Sequence, residues 1–446
     1  MNQAAVTNKH ASISQPVTIT DLNHEGHGVA RVDGKVVFIS GALPGEVVTY
    51  RIKGRRRRKY DTAELVEIIT ASPDRIEPKC KYFNKCGGCR LQHLSFQAQI
   101  QWKQNTLKEN LLRIGNTEPE NWLPALTANE WAYRRKARLG VKYIEKQGGI
   151  LIGFRGKQSS RINALQECLV LDERVSKLLP GLHELFNKIS CNDKIPQIEI
   201  SVGDSKVVFI IRHLVPFTSG DEDRFIEFAK LNNVEIYLQP KGPNTIIPLW
   251  PATESLLTYK IEQSDITIHF RPTSFTQVNS EINQKMISQV IKYLEPGKND
   301  RVLDLFCGLG NFTLPIAKHA GKVIGIEGDD ILVHSARDNA EKNGITNAEF
   351  TYADLFDEAR ATDWRVVGYN KLLLDPPRSG AKDVVQSITK NAFEKIVYVS
   401  CNPSTLARDA SVLVHEKNYR LTHAGVMDMF PHTKHVESLA VFERSE

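Results

Sequence analysis

The stretch VLDLFCGLGNFTLPIAKHA, residues 302–320, is the part of the sequence that decides the fold. Its apolar run ends at Phe306 and is followed by a Gly-x-Gly turn and an apolar, helix-like segment. Glycines in such a turn let the backbone approach a ligand closely, and the following helix N-terminus directs N–H groups towards it. The third glycine of the dinucleotide-binding fingerprint is missing. The pattern therefore predicts the strand, ligand-binding turn and helix of a Rossmann-like domain.

Strands and helices alternate from about residue 270 to the end of the chain. Such alternation requires right-handed crossovers and a largely parallel, doubly wound α/β sheet. The predicted strands are residues 301–306, 322–327, 348–353, 370–375, 395–400, 419–426 and 437–444.

Acidic residues follow two of these strands. Glu327 ends the strand after the glycine turn, where a carboxylate accepts hydrogen bonds from both ribose hydroxyls, and Asp354 follows the next strand. Together with DLFCGLGNF, they resemble the S-adenosylmethionine pocket of Rossmann-like methyltransferases. This resemblance implies that Phe306 and Asn311 line the methionine and adenosine ends of the cofactor. It also implies that Glu327 holds the ribose and that Asp354 lies on the adenine side.

A cysteine ends another predicted strand, in YVSCNPSTLARD at residues 398–409. Asn402 is a good N-cap and Pro403 a good first helical residue, so Cys401 should lie where a strand stops and a helix begins. A helix N-terminus lowers the pKa of a cysteine, and the thiolate is the reactive form. We therefore expect Cys401 to be a nucleophile with a lowered pKa, rather than a buried structural cysteine.

The motif LLLDPPRSG places Asp375 at the end of a strand. Its two prolines cannot continue a strand or a helix, and they hold Asp375 at the carboxyl edge of the sheet. The motif resembles the (Asn/Asp)-Pro-Pro-aromatic tetrad of methyltransferases that modify amino groups of bases. This chain has Arg378 where that tetrad has its aromatic residue. Uracil C5 is a poor nucleophile that needs thiolate addition at C6, whereas an exocyclic amine needs no covalent help. Arg378 and Cys401 together therefore favour methylation of uracil C5.

Four motifs in combination resemble the RNA 5-methyluridine methyltransferases, and the resemblance covers the whole chain. They are FCGLGNF, LDPPRSG, VYVSCNPSTLARD and HTKHVESLAVFER. The resemblance implies that Cys401 is the catalytic nucleophile and that Glu437 removes the C5 proton. It also implies that Gln277 and Asp375 contact S-adenosyl-L-methionine.

The N-terminal region predicts an RNA-binding module. From Pro16 to about Pro73, short strand-like runs alternate with glycine-rich turns, which is typical of a small antiparallel β-barrel. Its loop KGRRRRKY carries five consecutive cations, residues 55–59, either as a solvated loop or as a phosphate-binding patch. The barrel resembles the OB-like TRAM module.

Cysteines cluster in the segment that follows the barrel. Cys80, Cys86 and Cys89 form a C-x5-C-x2-C pattern, with Cys168 as the best fourth ligand and Cys191 as the alternative. Four thiolates suit either zinc or an iron–sulfur cluster, and the spacing does not decide between them. The family resemblance implies a [4Fe–4S] cluster with a structural or RNA-shaping role.

The composition is that of a globular protein without a membrane span or signal peptide, and we expect a cytoplasmic location. Of 446 residues, 41% are hydrophobic and 25% charged, with a net charge of +6. We expect five segments: a flexible tail at 1–14, a TRAM-type barrel at 15–73, an iron–sulfur segment at 74–93, a central α+β domain at 94–265 and a methyltransferase domain at 266–446. The helix at 94–115 is expected to pack on the catalytic domain.

The presence of both barrel and cysteine cluster resembles the ribosomal RNA branch of the family. This implies a folded 23S ribosomal RNA as substrate, a target base flipped out of its stack, and a monomeric enzyme. The alternatives are a uracil C5 elsewhere in ribosomal or transfer RNA, or the amino group of a base.

Overall fold

A computed structural model describes residues 13–54, 57–147, 149–157, 159–357 and 368–445. Most of the expected flexible tail and two arginines of the basic loop, Arg55 and Arg56, lie outside these residues. No helix within the described ranges is long and apolar enough to cross a membrane.

Two compact units make up the chain. The first contains Met1–Phe83, Cys89–Lys103 and His432–Lys434. The second contains Asn84–Gly88, Gln104–Pro431 and His435–Glu446. The division into five segments made from the sequence stays a prediction.

A six-stranded half-barrel sheet forms the first unit, in the order β1-β5-β6-β4-β3-β2. Its strands are β1 Val17–Thr18, β2 Asp21–Leu22, β3 Gly28–Val32, β4 Lys35–Ser40, β5 Val47–Ile52 and β6 Tyr60–Thr70. The small β-barrel module is confirmed, but the expectation of a purely antiparallel arrangement was wrong. The long strand β6 pairs antiparallel with β5 along one edge and parallel with β4 along the other.

The helix predicted at 94–115 is α1, Phe96–Arg113. The next part of the second unit is a six-stranded sheet in the order β13-β12-β11-β10-β8-β9, with a separate hairpin β14-β15. Its elements are β8 Lys136–Ile144, β9 Gly149–Gly153, α2 Glu173–Asn187, β10 Gln197–Val202, β11 Val207–Arg212, α3 Ser219–Asn232, β12 Glu235–Gln239, β13 Ile247–Trp250, β14 Leu257–Ile261 and β15 Ile266–Phe270. This mixture of helices and strands matches the expected α+β character.

An eight-stranded sheet carries the C-terminal part of the second unit, in the order β18-β17-β16-β19-β20-β22-β21-β7. All its neighbouring pairs are parallel except those of β22, which runs antiparallel to both β20 and β21. Its elements are β7 Asn121–Trp122, α4 Ser280–Leu294, β16 Arg301–Leu305, α5 Thr313–Ala317, β17 Lys322–Glu327, α6 Asp330–Lys342, β18 Ala348–Tyr352, β19 Lys371–Leu374, α7 Lys382–Ser387, β20 Lys395–Ser400, α8 Pro403–His415, β21 Tyr419–Met427 and β22 Glu437–Arg444. The predicted doubly wound sheet is confirmed, and each of its seven predicted strands ends within one residue of the observed bounds.

Apolar side chains cover both faces of this sheet. Along β20, Val397 and Val399 belong to one buried cluster, while Ile396 and Tyr398 belong to another. Successive residues of a strand point to opposite faces, so a strand buried on both faces reads as a continuous apolar run. This double burial holds the strand ends rigidly, and the candidate site lies at those ends.

Candidate active site

The candidate site lies at the carboxyl edge of the eight-stranded sheet. The chain order reverses at β16, whose neighbours are β17 on one side and β19 on the other. Ligands of open α/β sheets bind at such a switch point, outside the carboxyl ends of the strands. Phe306, Glu327, Asp375 and Cys401 all end or directly follow strands at this edge.

The glycine turn after β16 has a left-handed backbone at three positions. Phe306, Gly308 and Gly310 have φ values of +68°, +54° and +87°. For Phe306 this conformation costs about 1–3 kcal/mol, because its Cβ crowds the backbone. The N–H groups of Phe306 and Cys307 both donate to the Ile326 carbonyl, at 2.9 and 3.1 Å, and these bonds hold the turn against β17.

Glu327 fixes the same turn from the end of β17. Its carboxylate accepts backbone N–H bonds from Gly308 at 3.0 Å, Gly328 at 2.8 Å and Asp329 at 3.2 Å. Burial raises the pKa of Glu327, although these three bonds oppose the shift. Because each carboxylate oxygen has two lone pairs, the group retains acceptor capacity for a ribose hydroxyl.

Asn311 is tied to α4 by a reciprocal amide pair. Its side chain donates to and accepts from Asn283, both at 3.0 Å, and it also accepts from the Tyr259 hydroxyl at 2.9 Å. Half-buried Gln277 lies just before α4, two residues ahead of the N-cap residue Asn279. The amide pair therefore connects the helix that follows Gln277 with the glycine turn.

Exposed Asp354 lies in the turn that follows β18. It accepts the Phe356 N–H at 2.9 Å, and the Phe356 ring lies 5.7 Å from the ring of Phe306. The two rings are tilted and partly exposed. They offer an aromatic surface of the kind on which a flat heterocycle packs.

Cys401 and Glu437 are brought together by the pairing of β20 with β22. Ser400 lies opposite Ser438 in this antiparallel ladder, so the next residue of β20 faces the preceding residue of β22. Glu437 is buried, with 8% of its surface exposed, and Cys401 is half-buried. Asp375 directly follows the neighbouring strand β19, and burial and the charge of Glu437 raise its pKa to about 8.

The helix start at Cys401 is confirmed. Strand β20 ends at Ser400, α8 begins at Pro403, and the Asn402 side chain accepts the Ser404 N–H at 3.2 Å. The expected lowering of the Cys401 pKa was wrong. Burial and the nearby carboxylates of Glu437 and Asp375 raise this pKa to about 11, and the opposing charge of Arg378 does not offset them.

Asp304 is a site residue that reasoning from the sequence missed. This carboxyl group in β16 is fully buried and accepts a hydrogen bond from the Thr313 hydroxyl. Its second oxygen has no hydrogen-bond partner among the described residues. Burial, with the charges of Asp375 and Glu327, raises its pKa to about 8. The signal available was a charged residue between two leucines, in the buried part of the strand.

The four predicted metal ligands are divided between the two units. Cys80 and Cys89 belong to the first unit, whereas Cys86 and Cys168 belong to the second. All but Cys80 are buried, and the Cys86 sulfur accepts the Gly88 N–H at 3.4 Å. Thiolates are suitable ligands for an iron–sulfur cluster. Across the described parts of the chain, however, no group of three or more His, Cys, Asp or Glu side chains is arranged to hold a metal ion.

The strand order and the glycine turn define a class of protein, the Rossmann-like S-adenosylmethionine-dependent methyltransferases. Comparison with known proteins narrows this class. The family model for tRNA (uracil-5-)-methyltransferase matches residues 95–445, and the TRAM domain model matches residues 14–66. The chain therefore belongs to the family of RNA uracil-C5 methyltransferases.

Named relatives cover nearly the whole chain. The 23S rRNA (uracil(1939)-C(5))-methyltransferase RlmD of Nitrosococcus oceani is 50% identical over 97% of this chain and 96% of its own length. The protein of the same name from Thiobacillus denitrificans is 48% identical over 96% of this chain and 99% of its own length. A solved structure, the Pyrococcus abyssi tRNA (uracil-54, C5)-methyltransferase with S-adenosyl-L-homocysteine, has a TM-score of 0.74 and 26% identity. That similarity covers 96% of this chain and all of the archaeal one.

The charges around Cys401 lead to a prediction about its reactivity. At pH 7.5 it should react with iodoacetamide about tenfold more slowly than an exposed thiol, because little of it is thiolate. The change Glu437→Gln removes a negative charge, lowers the thiol pKa and should raise the rate at fixed pH about three- to tenfold. Mass spectrometry of the peptide that contains Cys401 measures the rate at each pH.

Glu443→Gln is the matched control, since it makes the same change at the far end of β22, where Glu443 pairs with Lys395. It should leave the alkylation rate unchanged. A Cys401 that reacts as fast as a free thiol between pH 7 and 9 would contradict the electrostatic assignment.

Proposed function

We propose that this chain transfers a methyl group from S-adenosyl-L-methionine to C5 of a uracil in 23S ribosomal RNA, at the position named for RlmD, uracil 1939. The observation that carries the proposal is the placement of Cys401, Glu437 and Asp375 at one edge of a methyltransferase sheet. Identity of about one half with the RlmD proteins over nearly their full length supports the choice of RNA.

Cys401 and Glu437 have complementary roles in this scheme. The Cys401 thiolate adds to C6, and the electrons of the C5–C6 double bond move to form an enolate. C5 then bonds to the electrophilic methyl carbon that a bound sulfonium donor would supply, and the sulfur–methyl bond breaks to leave a neutral thioether. Glu437 then takes the C5 proton, the double bond is restored, and Cys401 leaves as thiolate.

The raised pKa of Cys401 sets a condition on the first step. In the free protein the thiol keeps its proton at neutral pH, because the sulfur is removed from water and the carboxyl groups of Glu437 and Asp375 lie beside it. A positive charge on the donor, bound at the Asp375 end of the site, would offset these carboxylates and favour the thiolate. The nucleophile is thus activated only when the site holds its substrates.

The remaining site residues are assigned to the methyl donor. Glu327 would accept the ribose hydroxyls with the lone pairs that its three backbone bonds leave free. In this proposal Phe306 and Asn311 line the donor, Asp354 lies near the adenine, and Gln277 and Asp375 complete the contacts. The ring pair of Phe306 and Phe356, next to Asp354, supports an adenine on the Asp354 side of the pocket.

RNA binding is assigned to the TRAM-type sheet of the first unit. Its cations would bind backbone phosphates, and a flipped target uracil would enter the cleft beside Cys401. We propose that the enzyme works as a monomer in the cytoplasm.

We further propose that Cys80, Cys86, Cys89 and Cys168 hold a [4Fe–4S] cluster with a structural role. The burial of Cys86, Cys89 and Cys168 supports this assignment, since thiolates are the usual ligands of such a cluster. The scheme for methyl transfer involves no redox step, so no step requires the cluster.

Product mapping tests the proposed function. Unmodified 23S ribosomal RNA and transfer RNA are incubated in parallel with labelled S-adenosyl-L-methionine, and the labelled nucleoside is identified. We expect 5-methyluridine in the ribosomal RNA alone. Cys401→Ala should reduce the rate to below about one-thousandth while RNA affinity changes less than about twofold, because the nucleophile is lost without a binding contact. Label on an exocyclic amine would reject the proposal.

Glu437→Gln should trap the reaction after methyl transfer. Without a base the C5 proton stays, Cys401 cannot leave, and a protein–RNA adduct that already carries the labelled methyl group should accumulate. A denaturing gel detects it. The double variant Cys401→Ala/Glu437→Gln should give no adduct, and Glu443→Gln should turn over normally. If Glu437→Gln gives neither adduct nor loss of turnover, Glu437 is not the base.

Metal analysis tests the cluster. Protein purified without oxygen should contain about four iron atoms and four sulfides per chain. Cys168→Ser should lower both, whereas Cys191→Ser should not. About one zinc ion without sulfide would assign a zinc site instead. Loss of iron in Cys191→Ser but not in Cys168→Ser would exchange the two ligands.

A further inference from the structure

The loop between β19 and α7, which contains the motif DPPRSG, is held on the first turns of α8. The Arg378 carbonyl accepts from the Asn402 side chain at 3.0 Å and from the Thr405 hydroxyl at 3.4 Å. The Ser379 carbonyl accepts from Arg408 at 3.0 Å. Since α8 begins just after Cys401, these bonds join the loop after Asp375 to the helix that carries the nucleophile.

Asp409 is the centre of this attachment. Its carboxylate is fully buried and accepts the Ala381 N–H at 2.8 Å and the Tyr398 hydroxyl at 2.7 Å, both on Oδ2. The other oxygen accepts from Arg408 at 2.8 Å. One carboxylate thus connects the end of the loop, the middle of β20 and the second turn of α8.

Gly380 permits the close approach that this arrangement requires. Its φ of +77° is in the left-handed region. A Cβ added there would lie 2.8 Å from an oxygen of Asp409 and 2.9 Å from the Cβ of Thr405. The loop therefore lies directly against the helix, without space for a larger residue.

The side chain of Arg378 connects this loop to the segment just before β22. Its Nη2 lies 3.1 Å from Nδ1 of His435, which is two residues before Glu437 at the start of β22. The backbone of the loop is thus bonded to the Cys401 helix, while its side chain contacts the Glu437 segment. Asp375 is the first residue of this loop.

We propose that Asp409, together with Tyr398, is a positioning residue for the reaction, because it clamps the DPPRSG loop on α8 and so fixes Asp375 and Arg378 relative to Cys401. This inference rests on the proposed function. Asp409 does not touch the reacting atoms in this scheme. It acts through the loop, and it keeps the Arg378 cation near Cys401, where that charge opposes the two carboxylates.

A buried carboxylate is a costly way to pack a helix, since removing its charge from water is unfavourable unless several donors replace the water. Apolar side chains such as Leu406 and Ala410 already pack α8 into the core. The carboxylate also fixes the relative orientation of three segments, because its two oxygens accept hydrogen bonds from the loop, from β20 and from α8. This is the property that a positioning role requires.

Asp409→Asn tests the clamp. An amide has only one acceptor oxygen, so either the Ala381–Tyr398 side or the Arg408 side of the attachment must break. We expect kcat to fall about 100-fold, as for small misplacements of reacting groups, while KM for RNA and for S-adenosyl-L-methionine changes less than about threefold. Tyr398→Phe removes one hydrogen bond and should lower kcat roughly fivefold.

Alkylation of Cys401 supplies a second measurement, which needs neither RNA nor methyl donor. If the loop is released, Arg378 moves away and the alkylation profile should shift to higher pH in both variants. A role limited to stability would lower the midpoint of thermal unfolding but leave this profile unchanged. Asp383→Asn is the matched control, because Asp383 is an exposed acid just after the loop, and it should change neither quantity.

The outcomes separate the clamp from the proposed function. A wild-type chain that does not methylate uracil C5 rejects the function, and the alkylation profiles still decide whether the clamp exists. An active wild type with unchanged kcat and unchanged profile in folded Asp409→Asn overturns the clamp. If Asp409→Asn does not fold, Tyr398→Phe decides: a wild-type kcat and profile overturn the clamp, and a lowered kcat with a shifted profile supports it.

Discussion

Glu437 and Cys401 are neighbours because strand β22 lies between β20 and β21 in the sheet and is antiparallel to both. The register of this ladder, with Ser400 opposite Ser438, decides which side chains meet at the edge of the sheet. A slip of one residue would turn every side chain of β22 to the other face. Burial of β22 on both faces by apolar side chains resists such a slip, so the packing of the core fixes the geometry of the chemistry.

Four carboxyl groups gather at this one edge: Asp304, Glu327, Asp375 and Glu437. Burial raises the pKa of the first three, and the charge of a neighbour adds to the shift in Asp304 and Asp375. The ionised members of this cluster attract a cation and repel phosphate, and a bound cation would lower the pKa of the others. The chain as a whole nevertheless has a net charge of +6. We therefore expect a polyanionic substrate to bind mainly at surfaces outside this cleft. The acidic cleft is thus suited to the sulfonium donor and to an uncharged base separated from its backbone.

Much of this arrangement was predictable, because it depends on short-range patterns. The apolar runs ended at the correct strand ends, and the Asn402–Pro403 pair marked the start of α8 correctly. The alternation of strands and helices indicated the doubly wound, largely parallel sheet, and Glu327 was singled out because it ends the strand after the glycine turn. The roles assigned to these residues stay predictions, since they concern ligands rather than the fold.

The rest depended on contacts between distant segments. The parallel pairing of β4 with β6 arises from sheet assembly, which strand patterns do not encode. The pKa of Cys401 was expected to fall, because the helix start is visible in the sequence and the two facing carboxylates are not. Asp304 was overlooked because a charged residue inside a buried strand has meaning only once its surroundings are known.

The raised pKa of Cys401 also has a consequence between turnovers. Peroxide and other oxidants attack the thiolate far faster than the protonated thiol. A thiol that keeps its proton at neutral pH is therefore a poor target for oxidation while the cleft is empty. In the proposed scheme, the burial and carboxyl groups that keep Cys401 protonated before methyl transfer thus also protect its sulfur from irreversible oxidation between turnovers.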